Sequence, residues 1–168
     1  VKGPQVMVGY WQRPEENAGV FDADGMLHTG DVAIQDEDGY LTIIDRIKDI
    51  IIISGFNVFP NEIEDHVCTH PAVADACAIA TGDEYNAQIK LYVVSRHPGL
   101  DAGTIIDYCR TALAPYKIPK LIEFRDSLPK SNVGKVLRRQ LREDHALQVQ
   151  QRIAQHATLC ATDRTAVS

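Results

Sequence analysis

The sequence predicts an α+β fold, a small sandwich of a β-sheet with packed helices, preceded by a short β-meander. Three observations carry this expectation. From Ile50 onward, strand-like apolar runs and helix-period segments follow the order β, α, β, β, α, β, α. Residues 1–45 instead hold short apolar runs between two acidic turns, each closed by glycine. The composition, 45% apolar and 24% charged over 168 residues, is that of an ordinary globular chain. At this length about two thirds of the unfolded surface can be buried, so no disulfide or metal is needed for folding.

In chain order, Asp22-Ala23-Asp24-Gly25 and Asp36-Glu37-Asp38-Gly39 are the two turns, with glycine free to take positive φ. Met26–Thr29 and Asp31–Ile34 read as short strands between them, and Tyr40–Ile44 as a stronger one, β-branched and aromatic. Asp45-Arg46-Ile47-Lys48-Asp49 breaks the apolar pattern with four charges in five residues. It predicts an exposed connection, and the domain boundary is placed there, between 1–45 and 46–168. Ile50–Ile53 resumes as a strand and Ser54-Gly55-Phe56-Asn57 as a turn. Asn61 followed by Glu64, with Pro60 ahead, has capping-box spacing and opens a helix carrying Ile63 and Val67. Val73–Ala80 and Gln88–Ser95 are strands. Asp101 caps a helix with Ile105, Ile106, Cys109 and Leu113 on one face, stopped by Pro115. Leu121–Phe124 is a last strand. From Val136 a helix follows with an apolar stripe of Leu137, Leu141, Leu147, Val149 and Ile153, extending over 143–168 into a frayed tail of about ten residues.

The longest apolar run is five residues, Ala76–Ala80, too short to cross a membrane as a helix. The chain begins Val1-Lys2-Gly3-Pro4, without an initiator methionine or a secretory signal, which predicts a piece of a longer protein. Net charge is −6, so non-specific nucleic-acid binding by field alone is excluded. Pro115–Arg142 nevertheless holds eight Lys or Arg against Glu123 and Asp126, a local +6 suited to a small polyanion or to a solvated surface. Cys68, Cys77, Cys109 and Cys160 have no CxxC spacing and read as reduced thiols in a cytosolic setting. His66 and His70 share a helix face, but position 67 is Val where a zinc protease needs Glu, so no metal site is expected.

Two motifs carry chemistry. Thr29-Gly30-Asp31 presents a carboxylate on a glycine turn, and its two oxygens match two vicinal ribose hydroxyls. Alone, the motif is weak and reads first as an ordinary turn aspartate. Pro129-Lys130-Ser131-Asn132-Val133-Gly134-Lys135 invites a phosphate-loop reading, which fails. No Gly stands five positions before Gly134, and Val136 replaces the Ser/Thr that would hold Mg²⁺. Lys135, on a loop entering a helix, sits where the helix dipole disfavours a cation, so it is a candidate to await an anion.

Together, "GMLHTGDVAIQDEDGYLTIIDRIKDIIIISGFNVFPNEIE" and "PYKIPKLIEFRDSLPKSNVGKVLRR" resemble the C-terminal part of an adenylate-forming acyl-CoA synthetase, most of all the bacterial long-chain fatty-acid–CoA ligases. The resemblance runs from about Gly3 to Arg142. It implies that Asp31 and Arg46 reach the ATP ribose, and that Lys48 is the hinge of a linker. It also implies that Ser54, Gly55, Phe56 and Asn57 line the pantetheine tunnel, and that Lys135 stabilises charge during adenylation. By the same resemblance, 1–45 ends a large N-terminal domain and 46–168 is a mobile C-terminal cap. The chain departs from the family's usual residues at Met26, Ala87-Gln88 and Val133, none of which removes a charged group from the proposed site.

The implied reaction joins a fatty acid to CoA with ATP, releasing AMP and pyrophosphate. ATP and CoA enter as substrates, with Mg²⁺ bound mainly by ATP and the N-terminal domain. The chain alone lacks the phosphate loop and acyl pocket and is expected to be inactive. The alternatives are a ligase for a short-chain, aromatic or amino acid, and a non-enzymatic α+β interaction module. The expected setting is cytoplasmic. Peripheral contact with the inner membrane and oligomerisation of the full-length enzyme stay open.

Overall fold

The structure, a computed structural model, describes residues 1–83 and 86–165, with side chains through Gln155. The chain forms two compact units, Val1–Ile50 and Ile51–Ser168.

In the first unit, a short helix α1 (Pro14–Val20) precedes an antiparallel hairpin of β1 (Asp31–Gln35) and β2 (Leu41–Arg46). The acidic turn closes it as its composition requires. Gly39 takes φ 88°, its N–H donates to the Asp36 carbonyl at 3.1 Å, and the Asp36 carboxylate accepts from the Tyr40 N–H at 2.8 Å. The expected strand at Met26–Thr29 is a correction: only an isolated Phe21–Leu27 bridge forms there. The Asp22 carboxylate instead takes the N–H groups of Asp24 and Met26, so the segment is a side-chain-closed turn.

The segment Asp45–Asp49, with its four charges, is also not a uniformly exposed connection. β2 continues through Asp45 and Arg46, and a single 3₁₀ turn covers Ile47–Asp49. Asp45 and Asp49 are buried, while Arg46 and Lys48 are exposed. Alternation along an extended strand puts adjacent charges on opposite faces, which a sum over the segment hides. The first compact unit runs to Ile50.

The second unit is built on a three-stranded mixed sheet, order β5–β6–β7. β5 is Val73–Thr81, β6 Gln88–Ser95 and β7 Leu121–Phe124; β5 and β6 are antiparallel, β6 and β7 parallel. A separate hairpin pairs β3 (Ile51–Ile53) with β4 (Phe56–Val58). Three helices complete the unit: α2 (Pro60–Cys68), α3 (Ala102–Arg110) and α4 (Arg138–Thr165). Ala76 and Ala78 join Ile89, Leu91 and Val93 beneath Ile63, Val67, Ile105 and Cys109, so α2 and α3 cover one face. Cys77, Ile79 and Tyr92 point the other way and pack with Leu141 of α4 and with Leu128 from the loop after β7. Burial on both faces explains why Ala76–Ala80 is a continuous apolar run and not an alternating one.

Helix starts differ from expectation. Asp101 caps α3, its carboxylate accepting from the Thr104 N–H and hydroxyl. The Asn61–Glu64 capping box does not form: α2 begins at Pro60 after Phe59, with no side-chain cap. α4 begins at Arg138, not Val136, because residues 130–136 form a turn of their own. Within the expected stripe only Leu141 is fully buried; Leu147, Val149 and Ile153 are exposed. The backbone is helical to Thr165, and the frayed tail expected beyond lies outside the residues whose side chains are described.

Candidate functional site

Asp31 and Arg46 are cross-strand partners at the open end of β1–β2. Arg46 Nε lies 3.3 Å from Asp31 Oδ1. Gly30, at φ 74°, turns the chain into β1, and its carbonyl accepts from the Ile47 N–H at 2.9 Å. The pair therefore sits where the strand ends are tied on both sides. A cleft of about 280 Å³ opens here, lined among others by Asp22, His28, Gly30, Asp31 and Ile47. Asp31 keeps one carboxylate oxygen beyond the one facing Arg46, and a single guanidinium leaves further donors. The arrangement offers an acceptor and a donor side by side, as a diol requires. A larger groove of about 750 Å³, bordered by Ser95, Arg96, His97 and Arg125, contains none of the predicted site residues.

Lys48 lies in the 3₁₀ turn and is exposed. Ser54 and Gly55 form the two-residue turn of β3–β4 with φ 49° and 83°, the type I′ geometry that matches strand twist. Nothing lies within 4 Å of where a Gly55 Cβ would stand, so the glycine meets a conformational requirement and leaves an open backbone edge. Phe56 and Asn57, expected in the turn, are instead the first residues of β4. Phe56 stacks on Tyr116 at 4.6 Å between centroids, which holds the hairpin by its side.

Lys135 projects from a second tight hairpin. Lys130 and Val136 pair as an isolated antiparallel bridge, and the Leu137 N–H donates to the Pro129 carbonyl at 2.8 Å. At the tip, the Gly134 N–H donates to the Ser131 carbonyl at 2.9 Å, with Gly134 at φ 81°. The Ser131 hydroxyl accepts from the Lys135 N–H at 3.2 Å. Lys135 is exposed and forms no ion pair among the described residues. The hairpin is held from outside. Lys130 Nζ reaches Asp75 of β5 at 2.6 Å, and Arg138 reaches Glu64 of α2 at 2.6 Å. Burial raises the Glu64 carboxyl above its ordinary range against the pull of Arg138.

The basic stretch Pro115–Arg142 is not an open cationic face. Lys117 pairs with Glu62, Arg125 with Glu123 and Asp144, Lys130 with Asp75, Arg138 with Glu64 and Arg139 with Glu143. The sum of +6 counted only the stretch itself, and several of its partners come from α2 and β5. Buried Lys90, in contact with Glu123 at 2.7 Å and with His145 Nδ1 at 3.0 Å, links the sheet to α4. His66 and His70 pack on the Tyr108 ring, face and edge respectively, which gives both a structural role.

The structure thus brings Asp31 and Arg46 together and puts Lys135 on a braced hairpin. The Ser54–Asn57 segment hangs on a different support, through Tyr116. Sequence reading missed Arg138, Asn61 and Glu64 as one cluster. Its only signal was the Asn61–Glu64 spacing, which the capping-box reading absorbed.

Residues 62–135 match the AMP-binding enzyme C-terminal domain family. The chain is 52% identical over 145 residues to a long-chain-fatty-acid–CoA ligase of Escherichia coli, covering 86% of this chain and 26% of that protein. It is 46% identical over 146 residues to the ligase of the same name from Bacillus subtilis, again covering 86% and 26%. The chain therefore spans about a quarter of the length of these relatives. Among solved structures, ATP-bound MatB from Rhodopseudomonas palustris superposes with a TM-score of 0.81 at 36% identity, covering 86% of this chain and 29% of that one. The o-succinylbenzoate CoA synthetase of Bacillus subtilis, bound to its acyl-adenylate intermediate, gives 0.76 at 40% identity, covering 83% and 29%. Together with the mixed sheet, the covering helices and the braced lysine hairpin, these likenesses place residues 62–135 in the AMP-binding enzyme C-terminal domain family and make the chain similar, over most of its length, to the C-terminal part of adenylate-forming CoA ligases.

Proposed function

We propose that the protein containing this chain activates a long-chain fatty acid with ATP and transfers it to CoA. In the first step a carboxylate oxygen attacks the α-phosphorus of ATP. An acyl–phosphate bond forms and pyrophosphate leaves. In the second, the CoA sulfur attacks the acyl carbon, the thioester forms and AMP leaves. What carries the reading is the 52% identity to ligases named for this reaction, over a stretch that includes the proposed Lys135.

The roles follow from charge. A carboxylate approaching a phosphate brings two anions together, and an ammonium between them lowers that barrier. Lys135, exposed and without an ion pair among the described residues, is suited to supply it. Asp31 and Arg46 would accept from and donate to the ribose hydroxyls. The second step needs a thiol where the lysine stood, so the cap, 46–168, would rotate at Lys48 relative to the domain that 1–45 completes. That motion would withdraw Lys135 and bring in Ser54, Gly55, Phe56 and Asn57, with the open Gly55 backbone beside the pantetheine arm. Mg²⁺ is expected with the ATP phosphates. Among the described residues no helix is long and apolar enough to cross a membrane.

The test is pyrophosphate release by the full-length protein over carboxylic acids of increasing length. Long-chain acids should give CoA-dependent acyl-CoA formation. Release with short or aromatic acids alone would replace the reading with another adenylate-forming ligase.

A further inference from the structure

We propose that Arg138 is a positioning residue: it clamps the hairpin that carries Lys135, and through Lys135 it serves the adenylation step alone. The proposal rests on the adenylation role given to Lys135 above.

A hairpin of one bridge and a four-residue tip does not hold a fixed position by itself. Its two ends are tied differently. At the entry, Lys130–Asp75 has side chains 47% and 25% exposed, so water and salt weaken it. At the exit, Arg138 and Glu64 are 17% and 15% exposed. One terminal nitrogen of Arg138 donates to Glu64 Oε2 at 2.6 Å and to Asn61 Oδ1 at 2.9 Å. Its Nε donates to the Ala78 carbonyl at 3.3 Å. Glu64 Oε1 in turn accepts from the Ala78 N–H at 2.6 Å. Arg138 and Glu64 thus grip both polar groups of one β5 residue, and Arg138 joins α2, β5 and the first turn of α4. Only a planar, forked donor meets three acceptors in this way; an ammonium on a flexible stem does not.

Lys135 stands three residues before this clamp on a short, tied segment. A small displacement of a catalytic group can cost about a hundredfold in rate. A residue that sets the position of Lys135 should therefore affect the step that uses the lysine, and spare the step from which the lysine has been withdrawn.

The experiment uses the full-length enzyme carrying Arg138→Lys, Lys135→Ala, or both. Pyrophosphate exchange reads adenylation, and acyl-CoA formation from supplied acyl-adenylate reads the second step. Arg138→Lys should lower kcat for adenylation about ten- to hundredfold, with KM for ATP and the second step little changed. In the Lys135→Ala background the same change should have almost no further effect, because both act through one group. Equal loss in both steps, additive losses in the double variant, or unchanged adenylation would each overturn the proposal. If Arg138→Lys unfolds, as a falling thermal midpoint would show, Asn61→Ala decides. It removes one neutral acceptor and should give a smaller loss, again confined to adenylation; no loss, or loss in both steps, overturns the idea. Should Lys135→Ala itself leave adenylation intact, the underlying reading of Lys135 fails. Should Lys135→Ala slow adenylation while the Arg138 change adds to it independently, only the clamp fails.

Discussion

Arg46 Nε lies 3.3 Å from Asp31 Oδ1, and the two residues face each other across the β1–β2 ladder. The pair is partly exposed and stands at the rim of a cleft, so its contribution to stability is small. Its proposed value is orientation: Arg46 engages one carboxylate oxygen and leaves the other for a hydroxyl.

Asp31→Ala should therefore raise KM for ATP about ten- to a hundredfold, the range expected for losing hydrogen bonds to a charged group. Arg46→Ala should act in the same direction, and the double variant should lose less than the sum, because each residue orients the other. Steady-state kinetics in ATP measure this. Unchanged KM for ATP in both single variants would remove the ribose role.

Lys135→Ala should slow acyl-adenylate formation by about 10²- to 10³-fold, as removal of one stabilising donor does elsewhere. Thioester formation from supplied acyl-adenylate should change far less. Rapid-quench measurement of both half-reactions checks this, and comparable losses in the two would refute a role limited to the first.

Lys48→Pro should leave adenylation and block thioester formation. Proline fixes φ near −65° at the proposed pivot, while Lys48 itself is exposed and its replacement disturbs no core. Normal acyl-CoA turnover by the variant would exclude the hinge.

The contact of His145 with Lys90 should make the seating of α4 sensitive to acid. Burial, and then the charge of Lys90, hold His145 below its ordinary value of 6.5, against the opposing pull of Glu123; Arg152 adds to the depression. On the sheet side it faces Lys90, whose partner is Glu123, and Arg125 ties Glu123 to Asp144 of α4. A depressed value means the unfolded chain takes up the proton first. The stability contribution is therefore present above about pH 6.5 and is lost as pH falls through the folded-state value. Urea unfolding of the wild type should show a falling midpoint over this interval, and His145→Gln should flatten it. The same slope in both proteins would show that His145 is not the group responsible.

The amino-acid sequence by itself determined the order of the strands and α-helices from α2 onward, while β4 was read as part of a turn. It also determined the Asp101 cap and the positions of Asp31, Arg46, Lys48, Gly55 and Lys135 in recognisable motifs. These are local signals: a turn needs its glycine, a helix start its acceptor, and a strand its apolar period. Only the tertiary structure decided what Asn61 and Glu64 do. Their spacing satisfied a capping box, yet Arg138, far along the chain, offers donors inside a half-buried corner where an unpaired carboxylate would be costly. The same holds for the basic stretch, whose charge is met by Glu62, Glu64 and Asp75 from α2 and β5, and for Asp45 and Asp49, which strand geometry and the following 3₁₀ turn direct inward. Pairings between residues distant in the chain depend on which surfaces come together, and a linear count of charges has no access to that.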